Sequence, residues 1–363
     1  MSKQFYSLNN ILKKKATYNV IFGERSNGKT YATLKLGIEN KIKHNKQIAI
    51  VRRWKEDITG RRASDMWTGL IANGEVSKIS EGKYEGIHYY SGKFYLCNYD
   101  ENGKPIYHDN DILGYAFALS DTEHNKSISY PHITTIVFDE FLTARTYLVN
   151  EFVLFMNTIS TIVRRRTDVT IFMLGNTVNR YNPYFKEMGL NHANQMEQGT
   201  IDIYRYGKSP LTVAVEYTAS MENKKENNFY FAFNNPKLEM ITGGSWELDI
   251  YPHVPIKFSP KDIDFIYFII FNDNIYKCEV VSKDPYYFTY IHIKTTEIQD
   301  DENDMIYCFD YIPKLNYNRN ILKPINKLQE RLTWYFKTDR VFYQDNEVGD
   351  AINNYIKMCR SDV

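Results

Sequence analysis

Residues 19–37 read NVIFGERSNGKTYATLKLG. Apolar and β-branched residues run into Gly23, four polar residues follow, and Gly28, Lys29 and Thr30 open a segment with helical spacing. Residues 23–30, GERSNGKT, fit the pattern G-x-x-x-x-G-K-[ST] between a strand and a helix, where its chemistry requires it. In that setting Gly23, Glu24, Arg25, Ser26, Asn27 and Gly28 form a loop whose backbone N–H groups curl round phosphates, and the helix N-terminus adds its positive end. Lys29 is expected to hold the β and γ phosphates, and the Thr30 hydroxyl to ligate Mg²⁺. The bland alternative is a glycine turn, and the rest of the chain decides between them.

Working outward, 17–22 (TYNVIF) reads as a short strand, 29–43 as a helix with Ala32, Leu36 and Ile42 on one side, and 47–51 (QIAIV) as a second buried strand. Aromatic alternation over 83–119, with the turn DENGKP, suggests a hairpin beside the main sheet. Residues 133–138 (ITTIVF) form an apolar run ending in Asp139 and Glu140. A helix over 149–163 places Phe152, Phe155, Met156, Ile159, Ile162 and Val163 on one side and ends in Arg164, Arg165 and Arg166. Residues 169–174 (VTIFML) are another buried strand, closed by Gly175 and Asn176. Strands that alternate with helices and are apolar on both faces imply a parallel sheet covered on both sides.

Beyond about residue 206 the texture changes, with the polar stretch ASMENKKENNFY and the break ITGGSW. From Asp264 three strands joined by NDN and SKDP read as an antiparallel meander, and 346–359 carries Val348, Ile352, Tyr355 and Ile356 at helical spacing. The expected domains are therefore 1–205, a linker region over 206–250, and a mixed-sheet domain over 251–363.

The chain has 363 residues, 43% hydrophobic and 25% charged, values that allow a buried core in two domains. No apolar run of membrane-spanning length and no signal-peptide core is visible, so a cytoplasmic protein with no membrane partner is expected. Cys97, Cys278, Cys308 and Cys359 are scattered without metal or redox spacing. The net charge is only +1, but residues 1–62 carry fifteen Lys or Arg against four Asp or Glu. One basic face directed at phosphates would explain this, and so would a solvated lysine surface.

Four or more apolar residues followed by an acid describe a strand whose carboxylate, here Asp139, reaches the Mg²⁺ shell beside the phosphate loop. A second acid, Glu140, then stands where it can polarise an attacking water at the carboxyl end of the strand. No guanine signature of the NKxD type is present, which favours adenine nucleotide hydrolysis, with ATP and Mg²⁺ as the cofactors. Asn176 could position the water or sense the γ phosphate, or be a turn residue. The three arginines 164–166 could complement a helix dipole, or one of them could stabilise phosphoryl transfer in a neighbouring subunit. Arg52 and Arg53 could grip phosphates or be solvated.

The pieces VIFGERSNGKTYA, IAIVRRWK, GYAFALS, KSISYPHITTIVFDEF and TIVRRRTDV followed by LGNTVNRYNPYF stand in one order over most of 1–185. They resemble the DNA-packaging motor ATPases of small protein-primed tailed phages, the Salas-type or picovirus group. The resemblance implies an α/β fold: a P-loop ASCE-type ATPase domain with a mostly parallel sheet, then a smaller vestigial RNase H-like nuclease domain. It implies a homomeric ring, expected to be a pentamer, docked on the portal (connector) of a prohead in the host cytoplasm. A packaging RNA would lie between ring and portal, and double-stranded DNA would be the cargo. Family roles fall on Lys29 and Thr30 for phosphate and Mg²⁺, Asp139 for the metal, Glu140 as catalytic glutamate and Asn176 as sensor. Arg164 best matches the arginine finger, with Arg165 and Arg166 still open; Lys126 matches a basic residue at the subunit boundary, and Arg53 a lid arginine at the nucleotide.

The back third matches poorly, and Asp264, Asp273 and Asp310 do not look convergent, so nuclease activity is not expected. Another P-loop ring ATPase, such as a helicase or a conjugation-type DNA pump, is the alternative. So is a nonenzymatic adaptor that docks on portal or RNA.

Overall fold

The computed structural model describes residues 6–121, 128–143, 147–148, 150–177, 182–219, 251–310 and 312–361. They belong to two compact units, Met1–Glu247 and Leu248–Val363.

The first unit is built on a ten-stranded sheet. Its strands are β1 (Tyr18–Gly23), β2 (Gln47–Arg52), β3 (Gly86–Tyr90), β4 (Lys93–Tyr99), β5 (Pro105–Ile106), β6 (Ile112–Ala118), β7 (Ile133–Asp139), β8 (Thr170–Asn176), β9 (Thr200–Arg205) and β10 (Thr212–Tyr217). The order is β3-β4-β6-β2-β7-β8-β1-β10-β9, with β5 beside β4. The six strands from β6 to β10 in that order run parallel. Antiparallel strands close both edges.

Residues 212–217 lie in the stretch the sequence reads as a linker, yet β10 pairs with β1 over five registered residues, from Tyr18 opposite Val213 to Phe22 opposite Tyr217. The run TVAVEY is short and β-branched, and its partner lies almost 200 residues earlier, so no local pattern announces the pairing.

Alternate residues of each central strand feed two separate cores. Val20, Phe22, Ala49, Val51, Ile136, Phe138, Ile171 and Met173 pack with helices α2 (Glu151–Val163) and α3 (Pro183–Glu187). Ile21, Ile48, Ile50, Val137, Phe172 and Leu174 pack with helix α1 (Lys29–His44) and the short helices that follow β2. The buried side of α1 is Thr33, Leu34, Gly37, Ile38 and Lys41, and Ala32, Leu36 and Ile42 only flank it. Gly37 lets α1 lie close to the sheet, since a Cβ there would stand 2.6 Å from the end of the Ile48 side chain and displace it. Helix α2 begins at Glu151, which is itself buried with Phe155, Thr158, Ile159 and Ile162.

The second unit carries a six-stranded mixed sheet of order β15-β14-β11-β12-β13-β16. Strands β11 (Ile263–Phe271), β12 (Asn274–Lys283) and β13 (Tyr286–Lys294) form the expected antiparallel meander. The short β14 (Ile306–Cys308), β15 (Tyr317–Asn318) and β16 (Val341–Tyr343) add in parallel at its edges. Helix α4 (Lys327–Lys337) precedes β16, and helix α5 (Asn346–Ser361) buries Val348, Ile352, Tyr355 and Ile356. Among the described residues no helix is long and apolar enough to cross a membrane.

Candidate functional site

Strand parity decides which side chains meet at the carboxyl end of the sheet. Arg52 continues the even positions of β2, Ile48 and Ile50, and Asp139 follows Val137 on β7. Asn176 follows Phe172 and Leu174 on β8. All three therefore face the side covered by α1, whose first residues are Lys29 and Thr30.

β1 ends in Gly23, at φ 150°, and a Cβ there would lie 2.0 Å from the Thr218 hydroxyl. Thr218, just past β10, in turn accepts a hydrogen bond from Asn27 Nδ2 at 3.0 Å, so the unforeseen strand buttresses the loop. Gly28, at φ 97°, caps α1 in the left-handed region that glycine adopts without strain. Glu24 is buried, Arg25 is exposed, and the cavity wall begins at Ser26.

The Lys29 ammonium donates to the Glu24 carbonyl at 2.6 Å, to Asn27 Oδ1 at 3.2 Å and to Asn176 Oδ1 at 3.4 Å. Burial lowers its pKa from 10.5 to about 8, although Asp139 and Glu24 pull the other way. The Thr30 hydroxyl donates to Asp139 Oδ1 at 3.0 Å. Arg52 spans the two acids, Nη1 on Asp139 Oδ2 at 2.7 Å and Nη2 on Glu140 Oε2 at 2.9 Å. Glu140 leaves the strand at φ 60°, an uncommon conformation for a side-chain-bearing residue. Lys29, Thr30, Asp139, Glu140 and Asn176 line one cavity of about 530 Å³ with Ser26, Asn27, Gly28, Tyr31, Gly69, Asn73, Glu75 and Gly175. That volume is within the range of small-molecule sites.

Thr30 and Asp139 offer a hydroxyl and a carboxylate oxygen side by side, the hard donors that Mg²⁺ takes together with phosphate and water. The residues present fit that ion.

Arg53 corrects the expectation of a lid arginine at the nucleotide. It continues the odd positions of β2, Ala49 and Val51, and so turns into the other core, where it is 6% exposed. Its Nε and Nη2 bind Glu151 at 2.7 and 2.9 Å, while Nη1 and Nη2 reach the Glu140 and Phe141 carbonyls at 3.1 and 2.7 Å. Tyr184 donates to the same Glu151 at 2.6 Å, and the Tyr147 ring covers the guanidinium. Arg53 thus holds the backbone beneath Glu140 instead of lining the cavity.

The three arginines after α2 lie at the opposite edge of the sheet. Arg166 binds the Ile133 carbonyl at the start of β7, at 2.7 Å, and also those of Tyr130, Pro131 and Ile162. The length of β8, seven residues or about 20 Å, separates this edge from Asn176. Arg164 and Arg165 are exposed there, and the Arg164 guanidinium donates to the Ile128 carbonyl at 2.9 Å. Arg164 sits at φ 50° and ψ −120°. Lys126 lies outside the described residues.

A family profile described as Podovirus DNA encapsidation protein (Gp16) matches residues 1–204. The DNA packaging protein of Bacillus phage B103 is 33% identical over 175 residues, 47% of this chain and 48% of that protein. That of Bacillus phage phi29 is 30% identical over 184 residues, 50% of this chain and 49% of that one. The chain spans about half the length of the curated relatives it matches. Among solved structures, a chain of the bacteriophage Phi-29 viral genome packaging motor assembly aligns with a TM-score of 0.57 and 22% identity, covering 98% of this chain and 99% of that one. That likeness bears on the fold.

Proposed function

The chain belongs to the podovirus DNA encapsidation (Gp16) family, and on that premise we propose that it is the ATP-hydrolysing subunit of a ring that drives double-stranded DNA into a prohead. The observation that carries the reading is the convergence of Lys29, Thr30, Asp139, Glu140 and Asn176 on one cavity at the carboxyl end of neighbouring strands. Open parallel sheets bind ligands at that place.

Lys29, desolvated and low in pKa without an anion, regains its full charge against the β and γ phosphates. Thr30 and Asp139 would hold Mg²⁺, which when bound neutralises phosphate oxygens and polarises the terminal phosphoryl group. Glu140, set at the edge of the cavity, orients the attacking water and takes its proton. Asn176, already hydrogen-bonded to Lys29, registers the γ phosphate.

The trigger is assigned to a neighbour. Arg164 lies a sheet's length from its own cradle, so only the cradle of another copy comes within its reach in a closed ring, taken here as a pentamer. Arg165 is the second candidate, and Arg166, spent on backbone carbonyls, is the weakest. Lys126 is retained as a boundary residue on the resemblance alone. Phosphate contacts from the basic N-terminal region would make DNA binding independent of sequence and strongly salt-dependent.

The second unit is read as the docking domain toward portal and packaging RNA, with an RNase H-like ancestry. Its acids support a noncatalytic role: Asp264 is held by Arg331 at 2.9 Å and by Ser282, and Asp301 by Lys314 and Tyr317.

The test is ATP hydrolysis by the assembled motor with and without duplex DNA. Glu140→Gln should keep nucleotide binding and lose turnover, and Arg164→Ala mixed into the wild-type ring should poison it beyond simple dilution. Turnover that ignores DNA and both substitutions would overturn the proposal.

A further inference from the structure

One part of the cavity wall has no role in the chemistry above. Tyr31 follows Thr30 on α1, and Gly69, Asn73 and Glu75 come from the short helices inserted after β2. The Lys35 ammonium stands 2.8 Å from Glu75 Oε2 and holds that carboxyl below its ordinary range. Asn73 Nδ2 donates to the Tyr31 hydroxyl at 3.2 Å.

The Asn73 amide nitrogen can only donate, so the tyrosine oxygen is the acceptor in that bond. With its nitrogen so engaged, Asn73 keeps Oδ1 as an acceptor. Gly69 stands beside the Tyr31 ring, where a Cβ would lie 3.9 Å from it, so a longer side chain at that position would crowd the ring.

We propose that Tyr31 and Asn73 form the base subsite of the nucleotide, Tyr31 as the surface on which the base stacks and Asn73 Oδ1 as the acceptor for the adenine amino group. The inference rests on the reading of residues 23–30 as a phosphate cradle and adds to it the origin of base choice. An oriented amide oxygen accepts from the adenine 6-amino group and faces a second acceptor, O6, when guanine takes its place. Stacking on an aromatic ring does not distinguish the two, so affinity and selectivity reside in different residues.

The experiment is calorimetric binding of ATP, GTP and inorganic tripolyphosphate to the full chain and to Tyr31→Ala, Tyr31→Phe, Asn73→Ala and Gly69→Leu. Tripolyphosphate needs the cradle alone. Tyr31→Ala and Gly69→Leu are expected to weaken ATP by roughly ten- to a hundredfold with tripolyphosphate affinity unchanged, and Tyr31→Phe to retain most of the ATP affinity. Asn73→Ala should lower the ratio of ATP to GTP affinity. Folding of each variant is read independently, from its thermal melt and circular dichroism. If Tyr31→Ala weakens both ligands equally or neither, or if Asn73→Ala leaves the ratio unchanged, the subsite is wrong while the cradle stands. If the wild-type chain binds neither ATP nor tripolyphosphate, the cradle itself is overturned, and the subsite with it.

Discussion

Arg53 and Glu151 face each other as a buried bidentate pair, Nε on one carboxylate oxygen at 2.7 Å and Nη2 on the other at 2.9 Å. The pair joins the end of β2 to the first turn of α2, and through Arg53 it also grips the Glu140 and Phe141 carbonyls. Truncating one partner leaves the other charge buried alone. Glu151→Ala is therefore expected to destabilise the chain by about 3–5 kcal/mol. Replacing both residues by apolar side chains of similar volume should cost much less. Chemical denaturation of the single and double variants measures the difference.

Arg164 occupies φ 50°, where a side chain is strained. Arg164→Gly should raise stability by about 1 kcal/mol, because such strain is of order 1–3 kcal/mol and glycine gives part of the gain back in chain entropy. The same substitution should abolish turnover in the ring. Thermal melting and hydrolysis rates moving in opposite directions would mark a position kept strained for function; a fall in both would remove the strain argument.

Arg52 bridges the carboxylates of Asp139 and Glu140. Arg52→Ala should lower the stability of the nucleotide-free chain by about 1–2 kcal/mol, the loss of charge-assisted hydrogen bonds. Magnesium chloride without nucleotide should then raise the melting temperature of the variant more than that of the wild type, since the ion replaces the missing charge. Equal responses would show that Arg52 and the ion do not share a position.

Lys29 titrates near pH 8 in the nucleotide-free chain, below its ordinary 10.5. Between those values the folded chain holds fewer protons than the unfolded one, so this group's contribution to nucleotide-free stability increases as pH rises through that window. Bound polyphosphate raises the pKa again, so nucleotide binding should take up nearly one proton at pH 9 and almost none at pH 6.5. Affinity should fall as pH rises above about 8. Calorimetry in buffers of different ionisation enthalpy counts the protons directly.

The cradle and the acid pair were legible because each is local: a strand, a glycine loop and a helix start lie within residues 18–44, and Asp139 and Glu140 close an apolar run. The choice between Arg52 and Arg53 was not, although both were marked. In a strand buried on both faces every residue is apolar, so no alternation of polar and apolar positions tells which of two consecutive arginines turns toward α1. Once the partition of Ile48 and Ile50 from Ala49 and Val51 is known, the answer follows. Thr218 was hidden for another reason, since its contact with Gly23 depends on a strand pairing formed across the chain. Tyr31 and Asn73 carry no motif, and they meet through the fold, in a hydrogen bond at the wall of one cavity.

The order β2-β7-β8-β1 seats Arg52, Asp139, Asn176 and Gly23 one after another along the rim of the sheet. Neighbouring strands lie about 4.8 Å apart, so the spacing of these groups is inherited from backbone pairing and no loop has to set it. Deleting a single residue inside β7 would leave composition and hydrophobicity almost intact, yet it would swing the acid into the greasy compartment occupied by Phe138 and present an apolar side chain where the carboxylate meets Thr30 and Arg52.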